Sequence, residues 1–218
     1  MSTTLVLVLT LALIVAKCAA QLWLDRLNRR HVLAHAGAVP DAFKDSIDAA
    51  TYAKSVRYTL AKSSFSQVED AYGVALLLAV LFSGVLPWSF HWFKAGLGSS
   101  AWAMAAFLFV TGVTLTLPGL PFDWYAQFRL EERFGFNTTT PQTWWLDRLK
   151  GFLLTLILGY PLLVLILKLV QWTGSAWWFW AWASVLGFQL LMVVLAPILI
   201  LPLFNKFTPL PEGPLRER

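Results

Sequence analysis

Five long apolar stretches constrain this chain more than any other feature of its sequence. They cover about residues 3–24, 71–90, 101–120, 151–170 and 176–203. A helix needs roughly 20 apolar residues to cross about 30 Å of hydrocarbon, and each stretch is of that order. Strands of a membrane barrel alternate over about ten residues, whereas these stretches are apolar on every face. The sequence therefore predicts an all-α, multi-pass integral membrane protein with five transmembrane helices.

The composition agrees with this prediction. Hydrophobic residues make up 58% of the chain and charged residues 13%, whereas a soluble domain has about half apolar and about a quarter charged residues. The 12 tryptophans all lie near predicted span ends, where an interfacial belt would place them. The net charge of +5 fits membrane orientation better than a nucleic-acid surface. We therefore expect the lipid bilayer as a partner and no nucleic acid.

The distribution of cationic residues predicts the orientation. Most of the 17 Lys and Arg residues fall in three segments, 25–67, 121–150 and 204–218. Cationic loops stay in the cytoplasm, so the N-terminus should lie outside and the C-terminus in the cytosol. We divide the chain into a first transmembrane helix at 1–24, a cytosolic helical loop at 25–67 and a membrane domain at 68–218.

The sequence HVLAH, from His31 to His35, is the one short motif that resembles a metal site. Two histidines at i and i+4 on a helix can share a metal ion. A metalloprotease needs a glutamate directly after the first histidine, as the base for the metal-bound water, and that position is Val32. The chain also has only one cysteine, Cys18. We therefore expect a pair of juxtamembrane histidines and no metal ligand here.

A dense charge cluster lies in FRLEERFGFNTTT, residues 128–140. Its two adjacent carboxylates, Glu131 and Glu132, could perform acid–base chemistry. The alternative is a solvated helix end with local ion pairs, terminated by Gly135 as a helix C-cap glycine, and the spacing favours this second interpretation. Thr140 and Pro141 then predict the N-cap and first residue of the next helix.

Two longer phrases carry a resemblance to a known family. PFDWYAQFRLEERFGFNTTT at 121–140 and LPLFNKFTPLPEGPLRER at 201–218 resemble conserved phrases of the CAAX prenyl endopeptidase type I family. They stand in the family's order and in the expected places relative to the third, fourth and fifth apolar stretches. AVPDAF at 38–43 and YTLAK at 58–62 extend the resemblance over nearly the whole chain.

The resemblance implies an intramembrane zinc metalloprotease. Members of this family have seven transmembrane helices around a hydrated chamber, and an HExxH pair with a downstream glutamate holds the zinc ion. Zinc-activated water attacks the peptide bond. The implied substrates are prenylated CAAX proteins in eukaryotes, while bacterial relatives look more like membrane quality-control proteases.

This sequence departs from the family pattern because it contains no HExxH. The resemblance therefore implies the N-terminal membrane half of the enzyme, with chamber wall and substrate access for proteolysis of prenylated or membrane-associated proteins. We expect no catalytic residue and no metal in this chain, and zinc in the full-length enzyme. The family-signature residues should brace the missing C-terminal catalytic domain, and they are Glu131, Glu132, Gly135, Phe136, Asn137, Phe204, Asn205, Lys206 and Phe207.

Two other classes stay open at this point. One is a stand-alone, non-catalytic membrane module that binds lipidated or misfolded clients. The other is a transporter-like protein with coincidental motifs, which would show paired broken helices and charges at mid-membrane. The lack of a eukaryotic retention signal favours a bacterial inner membrane as the location.

Overall fold

The computed structural model describes residues 2–205 and 207, and every regular element in this part of the chain is helical. Short 3₁₀ or π-helical segments connect several of the α-helices. The α-helices are α1 (Thr3–Ala34), α2 (Ala49–Phe82), α3 (Val85–Leu97), α4 (Ala101–Thr116), α5 (Leu120–Tyr125), α6 (Pro141–Leu154), α7 (Tyr160–Trp172), α8 (Trp177–Leu195) and α9 (Leu201–Phe204).

Five continuous helical stretches are long and apolar enough to cross a membrane. They run over Thr4–Ala34, Ala49–Phe82, Ala101–Glu131, Pro141–Trp172 and Gly174–Phe204. The predicted all-α fold with five membrane helices is thus confirmed, whereas the orientation of the termini stays a prediction.

The helices extend well beyond the predicted spans. Helix α1 continues through ten residues of the predicted loop to Ala34, and α2 begins at Ala49, where Asp48 caps it. The segment 25–67, predicted as a cytosolic helical loop, is therefore helical at both of its ends. Hydropathy marks where a helix is apolar, and a polar helical continuation leaves no trace in that signal.

The second apolar stretch is not one uninterrupted helix. Helix α2 ends at Phe82 and α3 begins at Val85, and Gly84 between them has a φ of 77°. This left-handed conformation suits glycine because it lacks a Cβ atom. Gly84 therefore allows the helix to break at this point. A hydropathy average does not reveal such a break.

Three segments widen locally into π-helix. They cover Ala126–Glu131, Thr155–Gly159 and Ala196–Ile200. Pro161 follows the second and Pro197 lies within the third. Proline has no backbone N–H to donate, and its ring clashes with the carbonyl four residues earlier. This explains the altered helical hydrogen-bond pattern at these two places. The first segment contains no proline, and π-helical turns often occur at functional sites.

The described residues form two compact units. Within the described residues, the first covers 2–89 and 116–138, and the second covers 90–115, 139–205 and 207. Large apolar side chains remain exposed on both, for example Leu13 (70%) and Val193 (71%). Such surfaces are unfavourable in water and favourable in hydrocarbon, so they agree with the membrane assignment.

Candidate functional site

The first signature phrase forms the end of a long helix. The backbone N–H of Phe136 donates to the Glu131 carbonyl at 2.9 Å, and the N–H of Gly135 donates to the Glu132 carbonyl at 2.9 Å. This pair of bonds is the Schellman motif, which satisfies carbonyls that a helix end otherwise leaves unpaired. It requires a left-handed residue, and Gly135 has a φ of 72°. The predicted termination at Gly135 is confirmed.

Helix α2 supplies the partners of Glu131. The hydroxyl of Tyr58 donates to Glu131 Oε1 at 2.5 Å, and Lys62 Nζ lies 3.8 Å from the same oxygen. Lys62 Nζ also donates to the Tyr58 hydroxyl at 3.1 Å. The Glu131 side chain is only 23% exposed, so it depends on these partners because a half-buried carboxylate without them is costly. We call Tyr58, Lys62 and Glu131 the carboxylate clamp.

Aromatic rings hold the turn against the same helix. The Tyr58 ring contacts Phe134 and Phe136 edge-on, with centroid distances of 5.3 and 4.9 Å. Lys54 Nζ lies 5.2 Å from the centre of the Phe136 ring. Edge-to-face pairs and cation–π contacts of this kind each contribute on the order of 1 kcal/mol. One residue of α2, Tyr58, therefore serves as both the polar and the apolar anchor of the turn.

Asn137 closes the phrase on its other side. Its Oδ1 accepts a hydrogen bond from the Gln127 amide at 2.6 Å. Gln127 lies in the π-helical segment Ala126–Glu131, so the bond joins the last helical turns to the chain that leaves them. Thr140 then caps α6, whose first residue is Pro141; this predicted helix start is also confirmed.

The two adjacent carboxylates have different environments. Glu131 is held in the carboxylate clamp, whereas Glu132 is exposed on the same turn. A general acid or base must lie within hydrogen-bond reach of the proton it transfers, and Glu131 is already engaged by Tyr58 and Lys62. The geometry instead describes a braced helix end, which agrees with the interpretation that the spacing favoured.

The second signature phrase lies at the end of α9, in the other unit. Lys150 Nζ donates to the Leu203 carbonyl at 2.9 Å and lies 5.5 Å from the centre of the Phe204 ring. The backbone N–H of Asn205 donates to the Leu201 carbonyl at 2.9 Å. A cation at a helix C-terminus is favourable because the last carbonyls carry partial negative charge. Phe207 is 65% exposed, and Lys206 lies outside the described residues.

The described part of the chain does not fit a zinc ion. Residues 2–205 and 207 contain no group of three or more His, Cys, Asp or Glu side chains placed to hold a metal. His31 and His35 do lie together, with ring centroids 4.2 Å apart, and His35 Nδ1 lies 2.8 Å from the His31 carbonyl oxygen. Two histidines leave a zinc site incomplete, since it takes at least three protein ligands.

The sequence predicted the signature phrase but not its partners. Tyr58 and Lys62 lie 73 and 69 positions before Glu131 in the chain, and only the structure brings them together. A signal was present, because YTLAK at 58–62 was part of the resemblance and places a tyrosine and a lysine at i and i+4 of one helix face. A tyrosine and a lysine on one helix face do not by themselves indicate a carboxylate partner.

The fold and the site define a class of protein: a multi-pass helical membrane domain whose helices end in short polar turns. The family model described as CAAX prenyl protease N-terminal, five membrane helices, matches residues 28–206. The chain belongs to the CAAX prenyl protease family.

Individual relatives agree with this assignment. The CAAX prenyl protease 1 homolog of Oryza sativa is 35% identical over 202 residues, covering 87% of this chain and 46% of the relative. CAAX prenyl protease 1 of Saccharomyces cerevisiae is 34% identical over 82% of this chain and 42% of the relative. The crystal structure of S. mikatae Ste24p matches with a TM-score of 0.85 and 30% identity, covering 94% of this chain and 49% of that chain.

Two statements follow from these comparisons. The chain spans about half the length of the relatives it matches. These relatives are also eukaryotic, so the similarity gives no support to the expected bacterial inner membrane. The comparisons support the broader assignment, which is that this is a multi-pass membrane protein.

Proposed function

We propose that this chain acts as the membrane domain of a CAAX-type zinc metalloendopeptidase. In this role it forms part of the chamber wall and the path by which a prenylated or membrane-associated protein substrate reaches the catalytic part. A C-terminal catalytic domain supplies the zinc ion and the water-activating base. The peptide cleavage itself is therefore assigned to residues outside this chain.

One observation carries the proposal. The chain matches relatives named as CAAX prenyl proteases over 82% or more of its own length and less than half of theirs, and the matching family model is described as N-terminal, while its own described residues do not fit a zinc site. Membrane helices without the metal site are what an N-terminal half of such an enzyme requires.

The signature residues have a consistent role in this proposal. The carboxylate clamp and the Schellman turn fix the end of one helix, and Lys150 fixes the end of α9. Glu132 and Phe207 are exposed beside these fixed ends. A domain partner can bind Glu132 at low entropic cost, because the Schellman bonds already order the backbone that carries it. We therefore assign Glu132, Asn205 and Phe207 to bracing the catalytic domain.

A chimera tests the proposal directly. Residues 1–207 of this chain are joined to the C-terminal half of the Saccharomyces cerevisiae relative, and cleavage of a farnesylated CAAX peptide is measured in detergent. The proposal predicts zinc-dependent cleavage. A chimera that folds, binds zinc and still fails to cleave would contradict it.

Two further arms refine the result. Glu132→Ala and Asn205→Ala in the chimera should lower cleavage if these residues brace the catalytic domain, while exchange of the exposed Glu69 on α2 for alanine provides a control. The stand-alone module makes the opposite prediction. It requires the 218-residue chain alone to bind a farnesylated peptide. It also predicts that the chimera gains no cleavage activity.

A further inference from the structure

A basic pocket lies beside the carboxylate clamp, within the first unit. It has a volume of about 480 Å³ and is lined by Lys54, Arg57, Leu60, Ala61, Arg133 and Phe134. Small-molecule sites commonly have volumes of about 300–1,000 Å³. We call Lys54, Arg57 and Arg133 the pocket cations. The chamber and substrate path proposed above do not account for a charged pocket at this place.

The pocket cations are not neutralised by acidic side chains of the described chain. None of the three forms an ion pair with a carboxylate of residues 2–205 or 207. The nearest candidate, Glu131, is held by Tyr58 and Lys62, and Glu132 is exposed to solvent on the turn. The lining therefore carries three positive charges and no matched negative charge.

The geometry of the lining is preorganised. Lys54, Arg57 and Ala61 follow one another at helical spacing on one face of α2. Lys54 lies over the Phe136 ring, and the Arg133 guanidinium lies 5.7 Å from the centre of the Phe134 ring. Because both rings pack on Tyr58, two of the three cations are held on the same aromatic framework that fixes the turn.

A purely structural explanation accounts for only part of this cluster. Cations stabilise a helix C-terminus by offsetting its partial negative charge, and Arg133 lies in the last turn before Gly135. The carbonyls of Glu131 and Glu132 already accept backbone hydrogen bonds there. Arg57 lies on the neighbouring helix and is exposed, so the helix end does not explain why it faces the same pocket.

The geometry points to a binding site for a phosphate-type oxyanion in this pocket. Two guanidinium groups can each donate a planar pair of hydrogen bonds to a tetrahedral oxyanion, and a lysine adds a compact positive charge. The apolar edges Leu60 and Phe134 provide room for the organic part of a phosphate ester. This inference is independent of the proteolytic role and adds a ligand site that the role does not use.

Two sources could supply the phosphate group, a lipid headgroup or a water-soluble phosphate compound. Both sources present the same oxyanion to the pocket cations. Competition between phosphate and an anionic lipid distinguishes them.

Binding of inorganic phosphate to the purified 218-residue chain in detergent tests the site. Titrations are carried out against chloride at constant ionic strength, with heat of binding and the thermal unfolding midpoint as readouts. We expect saturable binding and a midpoint that rises with phosphate, as mass action requires. Arg57→Ala and Arg133→Ala should each weaken binding about tenfold or more, because each guanidinium supplies charge-assisted hydrogen bonds to the oxyanion.

Matched controls separate the possible results. Arg30→Ala removes the same charge from an exposed site on α1 in the same unit and should leave the affinity unchanged. Repeating the titration in phosphatidylcholine nanodiscs with and without phosphatidic acid identifies the source, because a lipid occupant would compete with phosphate. Absence of saturable binding overturns the inference. Equal affinity in Arg57→Ala, or a loss of thermal stability in that variant with no phosphate effect, overturns it in favour of a structural role.

Discussion

At the scale of single residues, the geometry around residues 131–136 depends on two positions, Gly135 and Tyr58. Gly135 supplies the left-handed backbone that the Schellman bonds require. Tyr58 supplies the hydroxyl for Glu131 and the ring for Phe134 and Phe136. Gly135 acts through its backbone conformation and Tyr58 through specific contacts. Their effects on stability can therefore be measured separately from the burial of apolar surface.

Replacing Gly135 with alanine should destabilise the first unit. A Cβ atom in the left-handed region costs about 1–2 kcal/mol, and the added atom would lie 3.8 Å from Lys54 Nζ, so steric contact adds little. The thermal unfolding midpoint in detergent measures the effect. Gly73→Ala is the matched control, because nothing lies within 4 Å of its added Cβ and a helical alanine should be neutral or stabilising. Equal shifts in both variants would contradict the account.

Replacing Tyr58 with phenylalanine should isolate the polar part of the clamp. The ring contacts persist, but Glu131 loses its donor and keeps only Lys62, 3.8 Å away. We expect a loss of about 1–2 kcal/mol in the free energy of unfolding. Tyr125→Phe is the control, since Tyr125 is 53% exposed and stacks on Phe65 through its ring. Equal losses of unfolding free energy in Tyr58→Phe and Tyr125→Phe would contradict this role of the Tyr58 hydroxyl.

The residue scale also shows what the sequence could predict. The phrase around Glu131 and its termination at Gly135 were predictable, because a C-cap glycine leaves a local signal. The contact with Tyr58 was not, since it joins positions 73 residues apart. Periodicity reports which face of a helix is apolar and does not report which distant helix that face meets.

At the scale of elements, polar side chains cap helix starts and ends. Asp48 caps α2 by accepting hydrogen bonds from the Thr51 backbone N–H at 2.8 Å and from the Thr51 hydroxyl at 2.7 Å. Lys150 performs the corresponding role at the end of α9. The apolar stretches predicted that helices exist here, whereas their true limits depend on these caps.

The cap of α2 should be sensitive to pH. The backbone N–H and hydroxyl of Thr51 hold the pKa of Asp48 below its usual value. A lowered folded-state pKa stabilises the folded chain above the unfolded pKa of about 3.9, and that stabilisation is lost as the pH falls through the folded value. Comparing the acid dependence of the unfolding midpoint in the parent chain and Asp48→Asn should show a shallower decline in the variant. Identical profiles would contradict this role.

Replacing Lys150 with methionine should loosen the end of α9. The variant loses the hydrogen bond to the Leu203 carbonyl and the contact with the Phe204 ring. Hydrogen exchange should become faster at 201–205 by about fivefold or more, since a hydrogen bond contributes about 1 kcal/mol. Lys94→Met on α3 removes a similar exposed charge from the same unit and should leave that exchange unchanged. Protection that survives in Lys150→Met would show that another contact holds the helix end.

At the scale of the whole molecule, five membrane helices were predictable from the length of the apolar stretches alone. The continuation of α1 to Ala34 was not, because a charged helix looks like a loop to hydropathy, whereas helical structure within 25–67 was predicted. The break at Gly84 was not predictable either, because it lies inside one long apolar stretch and hydropathy gives no signal for it. Family membership was predictable from two phrases, and the comparisons confirm it.

We propose above that this chain supplies a membrane scaffold and that zinc chemistry requires a C-terminal catalytic domain. The most direct test of this proposal is the zinc content of the purified 218-residue chain beside that of the chimera with the yeast C-terminal half. The account predicts far less than stoichiometric zinc in the chain alone and about one zinc per chimera, as a three-ligand catalytic site binds. Stoichiometric zinc in the chain alone, lost in a His31→Ala and His35→Ala double variant, would contradict it.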